Sequence, residues 1–493
     1  MASGDGEKHR EREEGEEEAY GDVAELGALR QRQAGYAWAD VVALDPAAAG
    51  RAVRLRGAAQ KVRATGRITF ILLRQGTATV QCVVSGEAVP FAKGLPRESV
   101  VDVAGVVALP REHVRETTQQ EVEIQVQKLY CISRAVPKLP ISVDDASQSE
   151  EEVASAKAAG KQRAHVGQDK RLDYRVIDLR TLANQAIFKL ESEVEYAFRQ
   201  ALRSEGFVCI HTPKLISGSS EGGAAVFKLD YKGQPACLAQ SPQLHKQMSV
   251  SGGFQRVFEV GPVFRAEDSN THRHLCEFTG LDAEMTIMDD YSEVCDVVDK
   301  VFVAIFNHLN ENCAQELEFI QRQHPFKPLK YLEKTLHIDF SEGIRMLKEA
   351  GVDVDPMGDL STEAERKLGE LVRDKYDTEF YMLCRYPSAV RPFYTMPCSD
   401  DPLYSYSFDV FVRGEEIISG AQRVHDPELL TSQAKARGID VNSIATYIDS
   451  FRYGTPPHGG FGAGLERVVM LFCGLGNIRK TSLFPRDTKR LYP

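Results

Sequence analysis

The sequence predicts two folded domains, a small five-stranded β-barrel followed by a large α+β domain built on an antiparallel sheet. Three observations carry this. At 493 residues the chain is too long for one hydrophobic core. Between about residues 51 and 135, short apolar and β-branched runs are punctuated by glycine. Beyond residue 172, β-like runs lie close together, as at 256–260 and 263–267 around Gly261-Pro262, and such spacing favours hairpins over helical crossovers.

In chain order, residues 1–48 read as a tail, first acidic and then alanine-rich, disordered or partly helical. Six of the eight residues 11–18 are glutamate, a solvated block that supplies much of the net charge of −11. RNA binding depends on a local basic face, so this total excludes little. Residues 49–138 hold the barrel runs 53–62, 68–74, 77–84, 99–107 and 121–132. The OB-fold is the usual five-stranded barrel of this size. Residues 139–172, rich in Ser, Ala, Glu and Lys without apolar periodicity, form a linker or helical hinge. Residues 173–493 are long enough for one α+β domain.

Several classes are excluded. No apolar run reaches the ~18 residues of a membrane span, and the N-terminus has no secretory core. The ten cysteines form no C-x-x-C pair, so neither a zinc site nor a disulfide framework is indicated, and a cytoplasmic protein is the default. Neither a G-x-x-x-x-G-K-[ST] loop nor a Rossmann G-x-G-x-x-G is present, so a nucleotide site has to be built otherwise.

Three clusters carry chemistry. In residues 261–267 (GPVFRAE), Arg265 and Glu267 share one strand face, a polar loop follows, and the next run alternates Phe278, Gly280, Asp282 and Glu284. By itself this could be a solvated face with surface ion pairs. In residues 413–423 (RGEEIISGAQR) a carboxylate precedes a hydroxyl by three, which suits Mg²⁺, a hard cation, or equally a charged turn. Residues 456–467 (PPHGGFGAGLER) run glycine-rich backbone into the apolar helix that starts near Val468, allowing close approach of a phosphate or a base. Alone, such glycines are often packing or turn residues.

In this order the clusters resemble the three signature motifs of class II aminoacyl-tRNA synthetases. The first would be a helix over 191–206, a strand over 207–211 and Pro213; the second is Phe264-Arg265-Ala266-Glu267; the third is Gly462-Ala463-Gly464-Leu465-Glu466-Arg467. The resemblance narrows to the subclass IIb aspartyl-tRNA synthetases of eukaryotic cytosolic and archaeal type. The matching stretches are 175–180 (RVIDLR), 220–223 (SEGG), 239–247 (AQSPQLHKQ), 270–274 (NTHRH), 280–282 (GLD), 391–396 (RPFYTM) and 484–487 (FPRD). Two departures stand out: relatives with an N-terminal tail often have a basic one, and Gly459 and Phe461 replace the usual alanine and glycine after the histidine.

The resemblance implies attachment of L-aspartate to tRNA(Asp) through an ATP-derived adenylate, with Mg²⁺ as cofactor. It implies catalytic roles for Arg265 on the α-phosphate and substrate carboxylate and for Arg467 on the γ-phosphate, tasks that suit a bidentate guanidinium. Glu416 and Ser419 would hold the metal with Asp409 outside them. Phe278 would stack on adenine and Glu267 face its amino group, with Arg273, His274, Leu275, Gly464, Leu465 and Glu466 completing the ATP site. Aspartate would meet Glu221, Gln243, Lys246, Arg265, Asp282, Ser419 and Arg423, the cations Lys246 and Arg423 separating it from isosteric asparagine. The barrel would read the anticodon with Phe70, Gln81 and Glu123, with Arg63, Arg67 and Arg74 available for phosphates. A homodimer with Pro213 at its interface is implied, and membership of a larger synthetase complex is left open. The rivals are a sibling synthetase for asparagine or lysine, a non-catalytic relative on the same scaffold, and a small-molecule asparagine synthetase, which would have no use for the barrel.

Overall fold

The structure, a computed structural model, describes residues 19–23, 25–160, 164–217 and 226–493. The chain divides into two compact units, one ending at Asp144 and the other starting at Asp145.

In the first unit five strands close into a barrel. Ala52–Thr65 pairs with both Ile68–Gln75 and Val100–Ala108, and Glu123–Ser133 closes the ring by pairing with Val100–Ala108 and, in parallel, with Ala78–Ser85. Alternation sends Val53, Leu55, Ile71, Leu73, Val80 and Val103 into the core. The tail expected to reach residue 48 joins this barrel much earlier. Tyr20–Asp22 pairs with residues 129–131, Ala37–Trp38 pairs with Val53 and Arg54, and Val41, Leu44 and Ala48 are buried in the barrel core. Three apolar residues spaced through an alanine-rich run carry no readable period, so only the packing shows them. The glutamate block at 11–18 lies outside the described residues.

The second unit begins with the hinge segment, where Ser149 and Glu152 form a capping box at the start of helix Glu150–Ala158. Asp178 then accepts from both Arg171 and Arg175 at 2.7 Å, while Arg175 also donates to the carbonyls of Ser482 and Leu483. That contact ties the RVIDLR helix to the segment just before FPRD.

Its main sheet has eight strands in the order Leu336–Asp339, Phe380–Cys384, Ser407–Val412, Glu415–Gln422, His458–Gly464, Glu277–Thr286, Arg256–Phe264, Val208–Cys209. The six inner strands are antiparallel, and only the two short edge strands pair in parallel. One face packs on the helices Leu182–Ser204, Ser292–Asn312, Ala314–Gln323 and Leu465–Phe472 through a single large core. The first-motif helix therefore starts nine residues earlier than its predicted start, at Leu182, where Thr181 caps it, and the strand after it shrinks to Val208–Cys209.

The glycine-rich third motif is itself a central strand. A Cβ at Gly460 would lie 2.2 Å from both the Ala283 carbonyl and the Glu284 carboxylate, and one at Gly462 would lie 2.9 Å from Asp282. Phe461, the departure from the family pattern, points to the opposite face and is 1% exposed, edge-on to Phe198 and Phe302. Its bulk fills the core and leaves the glycine face open. Gly460→Ala should therefore destabilise the protein by about 1–3 kcal/mol or prevent folding, measured by urea unfolding; an unchanged midpoint would show that the strand can shift to make room.

Candidate active site

Sheet register builds the site. One row across the sheet runs Asp409–Ser419–Gly462–Asp282–Glu259, and the next runs Ser407–Ala421–Gly460–Glu284–Val257. Because glycines occupy the middle strand, the carboxylates of Asp282 and Glu284 lie over it. Helix Gln243–Ser251 then brings Lys246 against them. Its ammonium, 2% exposed, donates to Asp282 at 3.1 Å and to the Phe461 carbonyl at 3.0 Å, and lies 3.4 Å from Glu284. Arg423, just past its strand, donates to Glu284 at 2.9 Å and to the Gln243 amide oxygen at 3.4 Å. Burial pushes the Glu284 carboxyl up, but Arg423 and Lys246 outweigh it and hold the group below its ordinary value. Glu284 thus stays an anion between two cations.

Gln243, Lys246, Asp282 and Arg423 line one end of a cavity of about 310 Å³, with Glu284 behind them. The second-motif strand and loop contribute Arg265, Glu267, Arg273, His274 and Leu275, the neighbouring strand adds Phe278, and Arg265 lies 5.4 Å from the Phe278 ring centre. Glu416, Ser419, Gly464, Glu466 and Arg467 complete the other wall. Arg467 donates to the carbonyls of Glu416 and Arg273, tying the loop to the sheet. Burial, reinforced by Arg467, Arg273 and Arg265, lowers His274 to about 4, so its ring is neutral at physiological pH. Burial raises Glu365 to about 7 although Arg273 is paired with it at 2.7 Å.

Two predicted site residues stand apart from the cavity lining. Asp409 is held by Arg391 through contacts of 2.6 and 3.0 Å, and the Leu465 side chain is in the core. Glu221 lies outside the described residues. Sequence reasoning did not pick out Arg391 or Glu365, and it placed Glu284 on the polar strand face without giving it a role. Arg391 lies within the RPFYTM stretch and Glu284 shares the alternating face of Asp282, so both had a signal; Glu365 belongs to helix Thr362–Tyr376, which matched nothing.

Metal fit is local. The Glu416 carboxylate faces the cavity with no hydrogen bond or ion pair among the described residues, and burial followed by Asp409 raises its pKa, the state a nearby cation would relieve. No cluster of three or more His, Cys, Asp or Glu among the described residues could hold a metal ion alone. Glu416 with the Ser419 hydroxyl fits an ion that keeps waters and shares phosphate oxygens.

On the barrel, Phe70 and Gln81 lie on the outer face, and Gln81 pairs in register with Glu123 and donates to it at 2.9 Å. Arg63 is paired with Glu116, and Arg74 is taken by Glu98 at 2.6 Å, which leaves Arg67 as the uncommitted member of the three. Pro213 is exposed beyond the edge strand Val208–Cys209, near exposed Val208 and Leu215.

A family profile described as tRNA synthetases class II (D, K and N) matches residues 167–488, and one described as OB-fold nucleic acid binding domain matches 49–132. A cytoplasmic aspartate–tRNA ligase of Arabidopsis thaliana is 63% identical over 468 residues, 93% of this chain and 84% of that protein. The chain belongs to the class II aspartate–tRNA ligases. Among solved structures, an aspartyl-tRNA synthetase from Entamoeba histolytica superposes on this ligase with a TM-score of 0.87 at 42% identity, covering 97% of each chain. An asparaginyl-tRNA synthetase from Pyrococcus horikoshii in complex with asparaginyl-adenylate gives 0.77 at 32%, covering 91% of the ligase and 98% of that chain.

Glu466 offers a pH test of the site's burial. Its carboxylate accepts from the Thr279 N–H, and burial raises it to about 7. An acid raised on folding loses stability as pH climbs from its unfolded value toward 7. Glu466→Gln keeps an acceptor for Thr279 and removes that loss, so its stability relative to the parent should grow between about pH 5 and 8 by on the order of 2–3 kcal/mol. Thermal unfolding across that range checks this, and a pH-independent difference would contradict it.

Proposed function

We propose that this ligase activates L-aspartate with ATP and transfers it to the 3′-hydroxyl of the terminal adenosine of tRNA(Asp). The observation that carries the reading is the buried pair of cations, Lys246 and Arg423, beside an arginine-lined wall. Aspartate brings a carboxylate that both cations attract, whereas asparagine brings a neutral amide whose N–H faces groups that can only donate, a mismatch that costs several kcal/mol.

In the first step an α-carboxylate oxygen of aspartate attacks the α-phosphorus of ATP and pyrophosphate leaves. Catalysis of such a transfer is mainly positioning and charge neutralisation. Arg265 is placed to hold the α-phosphate and the attacking carboxylate, and Arg467 with Arg273 the outer phosphates. Phe278 supplies a stacking face for adenine, and Gln243 and Asp282 accept from the substrate ammonium. Glu416 and Ser419 would hold Mg²⁺, which when bound offsets phosphate charge; Asp409, engaged by Arg391, stands behind them. In the second step the 3′-hydroxyl attacks the adenylate carbonyl and AMP leaves.

The anticodon is read on the barrel's outer face, where Phe70 offers a ring for stacking and Gln81 with Glu123 a hydrogen-bonding edge. Exposed Val208, Leu215 and Pro213 at the sheet edge support a homodimer interface. The Arabidopsis relative's name supports a cytoplasmic location, and no helix among the described residues is long and apolar enough to cross a membrane.

Aspartate-dependent ATP–pyrophosphate exchange should fall at least 100-fold in Arg423→Gln, and asparagine should not replace aspartate in the parent enzyme; undiminished exchange in the variant would overturn the assignment. Phe70→Ala should leave exchange intact and weaken tRNA(Asp) charging about 5- to 100-fold in kcat/KM, the range for loss of one stacked base. Equal charging by both proteins would remove Phe70 from the anticodon site.

A further inference from the structure

Behind the substrate cations lies a hydrogen-bond chain with only one satisfiable direction. His458, fully buried at the start of its strand, has Nδ1 2.8 Å from the Pro456 carbonyl, which can only accept, so Nδ1 carries a proton. Its Nε2 lies 2.9 Å from the Gln247 amide nitrogen. The Gln247 amide oxygen accepts from the Gln243 amide nitrogen at 2.9 Å and from the Tyr447 hydroxyl at 3.0 Å. The Gln243 oxygen in turn accepts from Arg423 at 3.4 Å. A guanidinium can only donate, so Arg423 sets the Gln243 amide, Gln243 sets Gln247, and Gln247 presents an N–H to His458. The ring is therefore neutral.

We infer that Gln247 and Tyr447 are positioning residues that couple the protonation state of His458 to the orientation of Arg423, and so to recognition of the aspartate side chain. This rests on the reading of Arg423 as a substrate cation. A second proton on His458 would set N–H against N–H at Gln247. Turning both glutamines to relieve it would set the Gln243 nitrogen against Arg423. A charged ring therefore leaves N–H facing N–H somewhere along the chain, and the arrangement that frees both glutamines of it costs Arg423 its contact with Gln243; the ring also adds a third cation to a site in which Lys246 and Arg423 are balanced by Asp282 and Glu284. The groups facing the ring are Glu284 from the adjacent strand, Arg423 and His425 from the segment after strand Glu415–Gln422, and Tyr447 from helix Ala445–Arg452. Burial, with Arg423 and His425, keeps His458 below its ordinary value against the pull of Glu284 and the Pro456 carbonyl. Tyr447 and Gln243 together hold the amide oxygen away from the ring; loss of the Tyr447 hydroxyl removes one of these two donors and lowers the cost of turning the oxygen to a charged ring.

The test is aspartate-dependent pyrophosphate exchange by the full chain from about pH 5.5 to 8.5. Tyr447→Phe should raise the KM for aspartate about tenfold at the acid end, with kcat and the KM for ATP within about twofold, and move the acid limb of kcat/KM for aspartate up by about one pH unit. Adding His458→Gln to Tyr447→Phe should erase that limb, because an amide can accept from Gln247 but does not titrate. Gln247→Glu, which can only accept from the ring, should produce the same acid limb and stands in should Tyr447→Phe fail to fold. An unmoved limb, or KM values for ATP and aspartate rising together, would overturn the coupling. Arg423→Gln separates the two levels: its loss of aspartate use with Tyr447→Phe unchanged removes only this inference, whereas retained aspartate use removes the reading beneath it.

Discussion

The ligase is organised around four buried charges. Lys246, Asp282, Glu284 and Arg423 are each less than a tenth exposed, and taking such groups out of water costs several kcal/mol apiece unless each is paired. They tolerate one another because the strand between them carries glycines at 460 and 462, which let the carboxylates lie over its backbone. The constraint spreads outward from there. Strand register has to place 282 opposite 462 and 284 opposite 460, so the antiparallel order of the inner sheet and the charge set are one requirement. Within this set the two cations are balanced by the two carboxylates.

The arginine-lined wall of the cavity follows the same logic with opposite emphasis. Arg391 is committed to Asp409 and Arg273 to Glu365, while Arg467 is anchored on backbone carbonyls. Cations held this way keep a fixed orientation, and preorganised charge of this kind needs little rearrangement to meet an anion. The Glu416 carboxylate faces the same cavity with no hydrogen bond or ion pair among the described residues. Helix Thr362–Tyr376 supports this wall from outside: Arg366 and His272 both engage Glu415, beside the turn where Gly414 and Gly369 pass too closely for any side chain.

The barrel is built by different means. Its core is ordinary alternation, and its outer face carries the side chains that alternation leaves outside. Phe70 would be taken for core from its own neighbourhood, since an aromatic in an apolar strand most often points inward; its position on the outer face follows from the register of Ile68–Gln75, where Ile71 and Leu73 take the interior.

Much of this was legible in the sequence. Period-two runs and glycine punctuation predicted the barrel and the antiparallel sheet, and the three motifs with the matching stretches between them named the class and many of the cavity residues, because their spacing is constrained locally. Tertiary structure alone decided the rest. Residues 20–48 join the barrel through a few buried side chains with no period, the glycine-rich motif is a strand because neighbouring carboxylates need its missing Cβ atoms, and Glu284, Arg391 and Tyr447 acquire meaning only across the sheet or between helices. A chain specifies locally which way each side chain points, whereas the partner of a buried charge comes from a distant segment, and only long-range pairing reveals which one.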